Sequence, residues 1–93
     1  MMVFPGKVHA LKIDPEYFMA VARGDKTFEV RKNDRPFEVN DIIALNELDD
    51  TREGYSGRTL LLRITYILDN PEYVKEGYVV LGLCPLEVSE MPF

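Results

Sequence analysis

Three features of the 93-residue sequence predict an α+β, mainly β fold: a small five-stranded β-barrel with one early α-helix. Apolar residues alternate with period two in five separate stretches, one early stretch follows helical spacing instead, and turn-forming residues punctuate the intervals. A closed or partly closed barrel is the arrangement that leaves so few strands with little exposed edge.

The elements follow in chain order. Val8 to Ile13 alternates and makes a short strand. Asp14-Pro15-Glu16 opens a helix, because Asp caps, Pro suits the first turn and Glu favours the positive end of the helix dipole. The helix runs from about Pro15 to Arg23, with Phe18, Val21 and Ala22 as its apolar stripe and Gly24 placed to end it in a left-handed conformation. Lys26 to Lys32 returns to period two, with Phe28 and Val30 on one face and Thr27, Glu29 and Arg31 on the other. Asn33-Asp34-Arg35-Pro36 is a turn by composition, and Asp41 to Leu48 is the third strand.

A polar connection from Asp49 to Gly57 leads into a long strand, Arg58 to Leu68, with Leu60, Leu62, Ile64, Tyr66 and Leu68 on one face. It should pair with the third strand as an extended hairpin. Asp69-Asn70-Pro71 breaks it, a connector bearing Tyr73 follows, and Gly77 to Leu83 is the final strand. No repeat or linker composition divides the chain, so a single domain is expected over 1–93, with its core at about 8–84. The tail from Pro85 to Phe93 has too few apolar residues for an element and either packs across the barrel or frays.

Composition narrows the function classes. The apolar runs Leu60-Leu61-Leu62 and Val79-Val80-Leu81 fall far short of the roughly 20 residues that span a bilayer, and the first ten residues lack a secretory layout. A cytoplasmic protein without membrane partners is the expectation. One cysteine and one histidine supply neither a disulfide nor a structural zinc site, so no metal or other cofactor is expected. Cys84 reads as a small buried hydrophobe at the end of an apolar run. A net charge of −5 opposes broad phosphate neutralisation, yet residues 1–35 carry a balance of +2 and residues 36–93 one of −7. Any anionic ligand should dock on the first third.

Within that third, Lys26, Arg31, Lys32 and Arg35 cluster around Glu29 and Asp34. An Arg can fork onto phosphate or stack on a base, a Lys offers a mobile charge, and a carboxylate can accept from an exocyclic amine, so the set could read a base and its phosphate. Spacing alone favours the plainer alternative, a solvated strand face with a Glu29–Arg31 pair contributing at most about 1 kcal/mol.

Gly24-x-Lys26-x-x-Glu29-x-Arg31 resembles the G-x-K-x-x-E-x-R signature of ASCH domains, relatives of PUA domains, and stands just after the first helix. His9-x-Leu11-Lys12, Pro15-x-Tyr17-Phe18, the run Phe28 to Arg35, Val39-x-Asp41 and Glu76 to Leu81 are similar to one subgroup, a domain of unknown function common in bacteria and their phages. This resemblance, covering about His9 to Leu83, implies a PUA-like barrel with a cleft between helix and sheet, lined by Lys26, Glu29 and Arg31. It also implies a role in binding RNA or modified nucleotides. With a charge of −5, a short single-stranded RNA, a nucleotide or a nucleoside fits better than a long duplex.

Lys32, Asn33 and Arg35 extend the candidate ligand-binding set along the same run. His9 and Lys12 join it if the first strand lies beside the second, with His9 as acceptor or proton carrier; otherwise His9 is a partly buried residue held by a backbone bond. Of Tyr17, Tyr55, Tyr66, Tyr73 and Tyr78, Tyr17 is the cleft candidate for stacking on a base and the others read as half-buried barrel residues.

Some proteins of similar fold are amidohydrolases with a Lys and a Thr nucleophile, and others are ribonucleases. Here Glu29 stands where that Thr would be, which favours a binder over an enzyme. If catalysis occurs, the candidates are Lys26 and Glu29, with Thr27 two residues from Glu29 on the same face. A protein-interaction module is the third class. Neither the natural ligand nor the oligomeric state is legible.

Overall fold

Burial along the first strand alternates as its sequence does: His9, Leu11 and Ile13 turn inward, while Val8, Ala10 and Lys12 are exposed. In the computed structural model, which describes residues 6–86, the elements are β1 (Val8–Ile13), α1 (Pro15–Ala22), β2 (Phe28–Lys32), β3 (Ile42–Leu48), β4 (Tyr55–Leu68) and β5 (Tyr78–Pro85). The five strands form one sheet in the order β1-β3-β4-β5-β2, curled into a half-barrel. β1 runs parallel to β3, with Val8 opposite Ile42, and the remaining pairs are antiparallel. The expected hairpin is therefore β3–β4.

Ile43, Leu45, Ile64 and Leu81 fill the centre of the curl, and Phe18 and Val21 of α1 close it from one side. Each of those two helix side chains contributes about 1.5–3 kcal/mol by leaving water. Gly24, at φ 82, ends the helix as its position predicts, and the amides of Asp25 and Lys26 both donate to the carbonyl of Ala20. That tight exit turns the chain at once into β2. Asp14 takes the cap position by backbone, its carbonyl accepting from Phe18, but its side chain makes no cap bond.

β1 and β2 are the two edges of the sheet, and side chains bridge the seam between them. Arg31 on β2 donates to the carbonyl of Lys12 at 2.7 Å, and Arg35 reaches the carbonyl of Ala10 at 3.5 Å. The alternation of β2 puts Glu29 inward at 5% exposure, whereas Phe28 and Val30 are exposed. The charged face of this strand is thus the concave one.

Three expectations are corrected. Tyr66 does not share the inner face of Leu62 and Ile64. The register between β4 and β5 shifts between Ile64 and Tyr66, so Thr65 bulges, Tyr66 turns out at 66% exposure and Ile67 packs against the core instead. Gly82 accommodates the bulge, since a Cβ there would meet Thr65 Oγ1 at 3.0 Å. Cys84 is half-buried on the face of β5 opposite Leu81 and Leu83, outside the core. Pro85 belongs to β5, and the rest of the proposed tail beyond Leu86 lies outside the described residues. Among the described residues no helix is long and apolar enough to cross a membrane.

Candidate functional site

A cleft of about 530 Å³ opens where β1 runs into α1, opposite the charged face of β2. Its size falls within the range of small-molecule sites, roughly 300–1,000 Å³. Glu29 lies on the floor, and β2 and the α1–β2 turn supply its partners. Lys26 Nζ donates to Glu29 Oε2 at 2.8 Å and to the carbonyl of Phe28 at 2.7 Å. Arg31 Nη2 stands 3.5 Å from the other carboxylate oxygen while holding the carbonyl of Lys12. A carboxylate on so buried a side chain would be costly without cations; here two flank it.

The walls mix charge with apolar surface. Ile13, Val30 and Leu48 line the cleft together with Tyr17, which is 48% exposed, and Lys26 Nζ lies 5.8 Å from the Tyr17 ring centre. Four cations (Lys12, Lys26, Arg31 and Arg52) face two carboxylates (Asp14 and Glu29), a local balance of +2 in a chain of −5. Arg52 comes from the β3–β4 loop, and its Nη1 is 2.7 Å from Asp14 Oδ1, at an angle outside hydrogen-bonding geometry.

The structure brings together five of the expected residues, Lys12, Tyr17, Lys26, Glu29 and Arg31. It separates the others. Lys32 and Arg35 line a smaller hollow of about 200 Å³ that shares only Arg31 with the cleft, and Arg35 also lies 5.8 Å from the Phe37 ring centre. Asn33 donates its amide to the carbonyl of Gly77 and borders a third hollow. Thr27 is exposed and does not line the cleft; its carbonyl accepts from Leu83.

His9 does not line the cleft either. It is buried at 6% exposure, its ring 4.8 Å from that of Phe37, and it is held by a side chain, not by a backbone group. Nε2 donates to Asp41 Oδ2 at 2.7 Å, since an ionised carboxylate can only accept. Asp41 also accepts from the backbone amides of Lys7 and Glu38, both at 3.0 Å, and Gly6 lies so close that a Cβ there would collide with it. Burial raises the Asp41 carboxyl, but His9 and the two amides outweigh it and hold the group below its ordinary value.

A second polar cluster, unmarked by any motif, pins the helix. Arg58 forks onto buried Glu47 through Nε at 2.8 Å and Nη2 at 2.7 Å, Ser56 donates at 2.6 Å, and the guanidinium stacks 4.9 Å from the Phe18 ring centre. The Arg58 and Ser56 bonds hold the Glu47 carboxyl below its usual range, and Glu47 in turn raises Arg58.

A family model described as a domain of unknown function, DUF3850, matches residues 8–83, which run from the start of β1 into β5. The chain belongs to the DUF3850 family. It is 36% identical over 75 residues to an "Uncharacterized 12.9 kDa protein in GpA 3'region" of Escherichia phage P2. That match covers 81% of this chain and 66% of the phage protein, just under two thirds. The DUF3850 match takes in every residue that lines the cleft, Asp14 and Arg52 included. Those two, with Asp41, Glu47 and Arg58, were not singled out as site or cluster residues by the sequence. Their roles depend on contacts across the sheet, such as the 32-residue separation of His9 and Asp41, for which local pattern carries no signal.

Proposed function

We propose that this DUF3850 chain is an ASCH-type, PUA-like domain whose cleft binds a short single-stranded RNA, a nucleotide or a nucleoside. The observation that carries the reading is the lining of the cleft. An exposed aromatic ring, a buried carboxylate flanked by Lys26 and Arg31, and a local balance of +2 stand together in an otherwise acidic chain. A base can stack on Tyr17, its amine can be read by Glu29, and the cations favour the attached phosphate. The acidic remainder opposes a long duplex, which would have to cross it.

Lys12, Tyr17, Lys26, Glu29 and Arg31 are the residues assigned to this ligand. Lys32 and Arg35 would meet only a strand long enough to pass Arg31 into the neighbouring hollow. A hydrolase using Thr27 is disfavoured, because its exposed position puts it outside the cleft lining. One using Glu29 would have to release the carboxylate from Lys26.

Titration of short RNAs, nucleotides and modified nucleosides against the wild type and Lys26→Ala tests the reading. Affinity should fall about tenfold or more when the charged partner is removed. Equal binding by the two proteins would take this cleft out of consideration.

A further inference from the structure

The cations of the cleft divide into those the fold already uses and those it leaves available. Lys26 is spent on Glu29 and the carbonyl of Phe28, and Arg31 on the carbonyl of Lys12, close to Glu29. Among the described residues, the Lys12 ammonium makes no hydrogen bond or ion pair. Among the described residues the Arg52 side chain, 67% exposed, pairs only with Asp14. Lys12 comes from the end of β1 and Arg52 from the β3–β4 loop, so the two reach the cleft from different elements.

The loop that carries Arg52 is a built turn. Asp49 Oδ1 accepts from the amide and the hydroxyl of Thr51 at 3.0 and 2.6 Å, the Asp49 amide donates to Gly54, and the Arg52 amide donates to Asp49. Arg52 itself has φ 63, a left-handed conformation uncommon outside glycine that the surrounding bonds must hold. Asp14, its partner, is free for this role because it makes no helix-cap bond.

Resting on the nucleotide reading of the cleft, we infer that Lys12 and Arg52 form the subsite for the ligand's phosphate monoester, with Asp14 holding Arg52 until the phosphate replaces it. The Lys26–Glu29–Arg31 set then shapes the floor and reads the base, and the phosphate need not break any of its bonds. A doubly charged phosphate competes well with one carboxylate for a guanidinium, because it offers more acceptor oxygens in the same forked geometry.

The test compares nucleosides, their 5′-monophosphates and inorganic phosphate as ligands of the wild type, Lys12→Gln, Arg52→Gln and Asp14→Asn, with thermal melts to confirm folding. The wild type should prefer monophosphate over nucleoside. Arg52→Gln should reduce monophosphate affinity roughly tenfold and leave nucleoside affinity unchanged, and Lys12→Gln should reduce monophosphate affinity roughly tenfold and by far more than it reduces nucleoside affinity. Asp14→Asn, which removes the competing anion, should raise monophosphate affinity about two- to fivefold, a gain that a merely structural role would not give. A phosphate preference that survives both glutamine substitutions overturns this inference and leaves the cleft reading standing. Wild type that binds none of the nucleosides or nucleotides overturns this inference, and wild type that fails to bind short RNAs as well overturns both.

Discussion

The two ends of β1 carry polar residues with opposite fates. At the start, His9 faces a carboxylate whose oxygens are engaged by chain atoms: buried Asp41 accepts hydrogen bonds from the buried His9 ring and from two backbone amides. At the other end, Lys12 and Asp14 open onto a cleft whose cations are only partly matched by carboxylates. The difference separates a structural polar cluster from one available to a ligand. A group whose partners all belong to the chain fixes the fold, and a group with unused bonding capacity beside a hollow can take on something else.

The comparison is broken most forcefully at Asp41. Asp41→Ala would leave two backbone amides and the buried histidine without their acceptor and should cost about 3 kcal/mol, measured by denaturant unfolding. Nucleotide affinity of the folded fraction should be unchanged. Loss of binding at full stability would instead place His9 and Asp41 in the functional site.

Acid should act at the same end. The Asp41 carboxyl is held below its ordinary value of 3.8. Its ionised form therefore contributes stability that is fully present above that value and is lost as pH falls through the lower folded one. Thermal melts between pH 6 and about pH 2.5 should show a decline below roughly pH 4 that is shallower in Asp41→Asn. An identical decline in both proteins would assign acid sensitivity elsewhere.

At the cleft end the expected losses are in binding. Tyr17→Ala should weaken a base-containing ligand by about 1–3 kcal/mol, read by titration, with little change in melting. Tyr66→Ser is the smallest perturbation: the ring is 66% exposed on the outer face, and both stability and affinity should stay within about 0.5 kcal/mol. An affinity loss at Tyr66 equal to that at Tyr17 would move the site to the convex side.

These contrasts mark what could be read from the sequence. Strand and helix positions followed from local periodicity, and β1 was legible end to end because Val8–Ile13 alternates without interruption. Alternation put Glu29 and Arg31 on one face of β2 but not Lys26, which reaches Glu29 from the turn before the strand; only the resemblance to the ASCH signature grouped the three in one cleft. The extra residue at Thr65 was not, because a bulge breaks the alternation that would reveal it; Gly82 opposite was the one trace, and glycine has many other uses. The partner of His9 was hidden for a different reason: burial was one of its two readings, but its neighbour is set by the parallel pairing of β1 with β3, which brings Asp41 beside it. Arg52 stood in the acidic part of the chain, and charge averaged over sequence windows conceals a cation that a loop delivers elsewhere.

The arginine-bridged seam also bears on how copies of this protein treat one another. The outer margin of β1 would otherwise offer bare carbonyls to any passing extended chain, the template from which strand-by-strand aggregation grows. Guanidinium groups already occupy two of them, at Ala10 and Lys12, so an intruding polypeptide would have to displace charged donors before its first rung could form. The same residues that complete the curl therefore leave this margin with fewer free acceptors for an added strand.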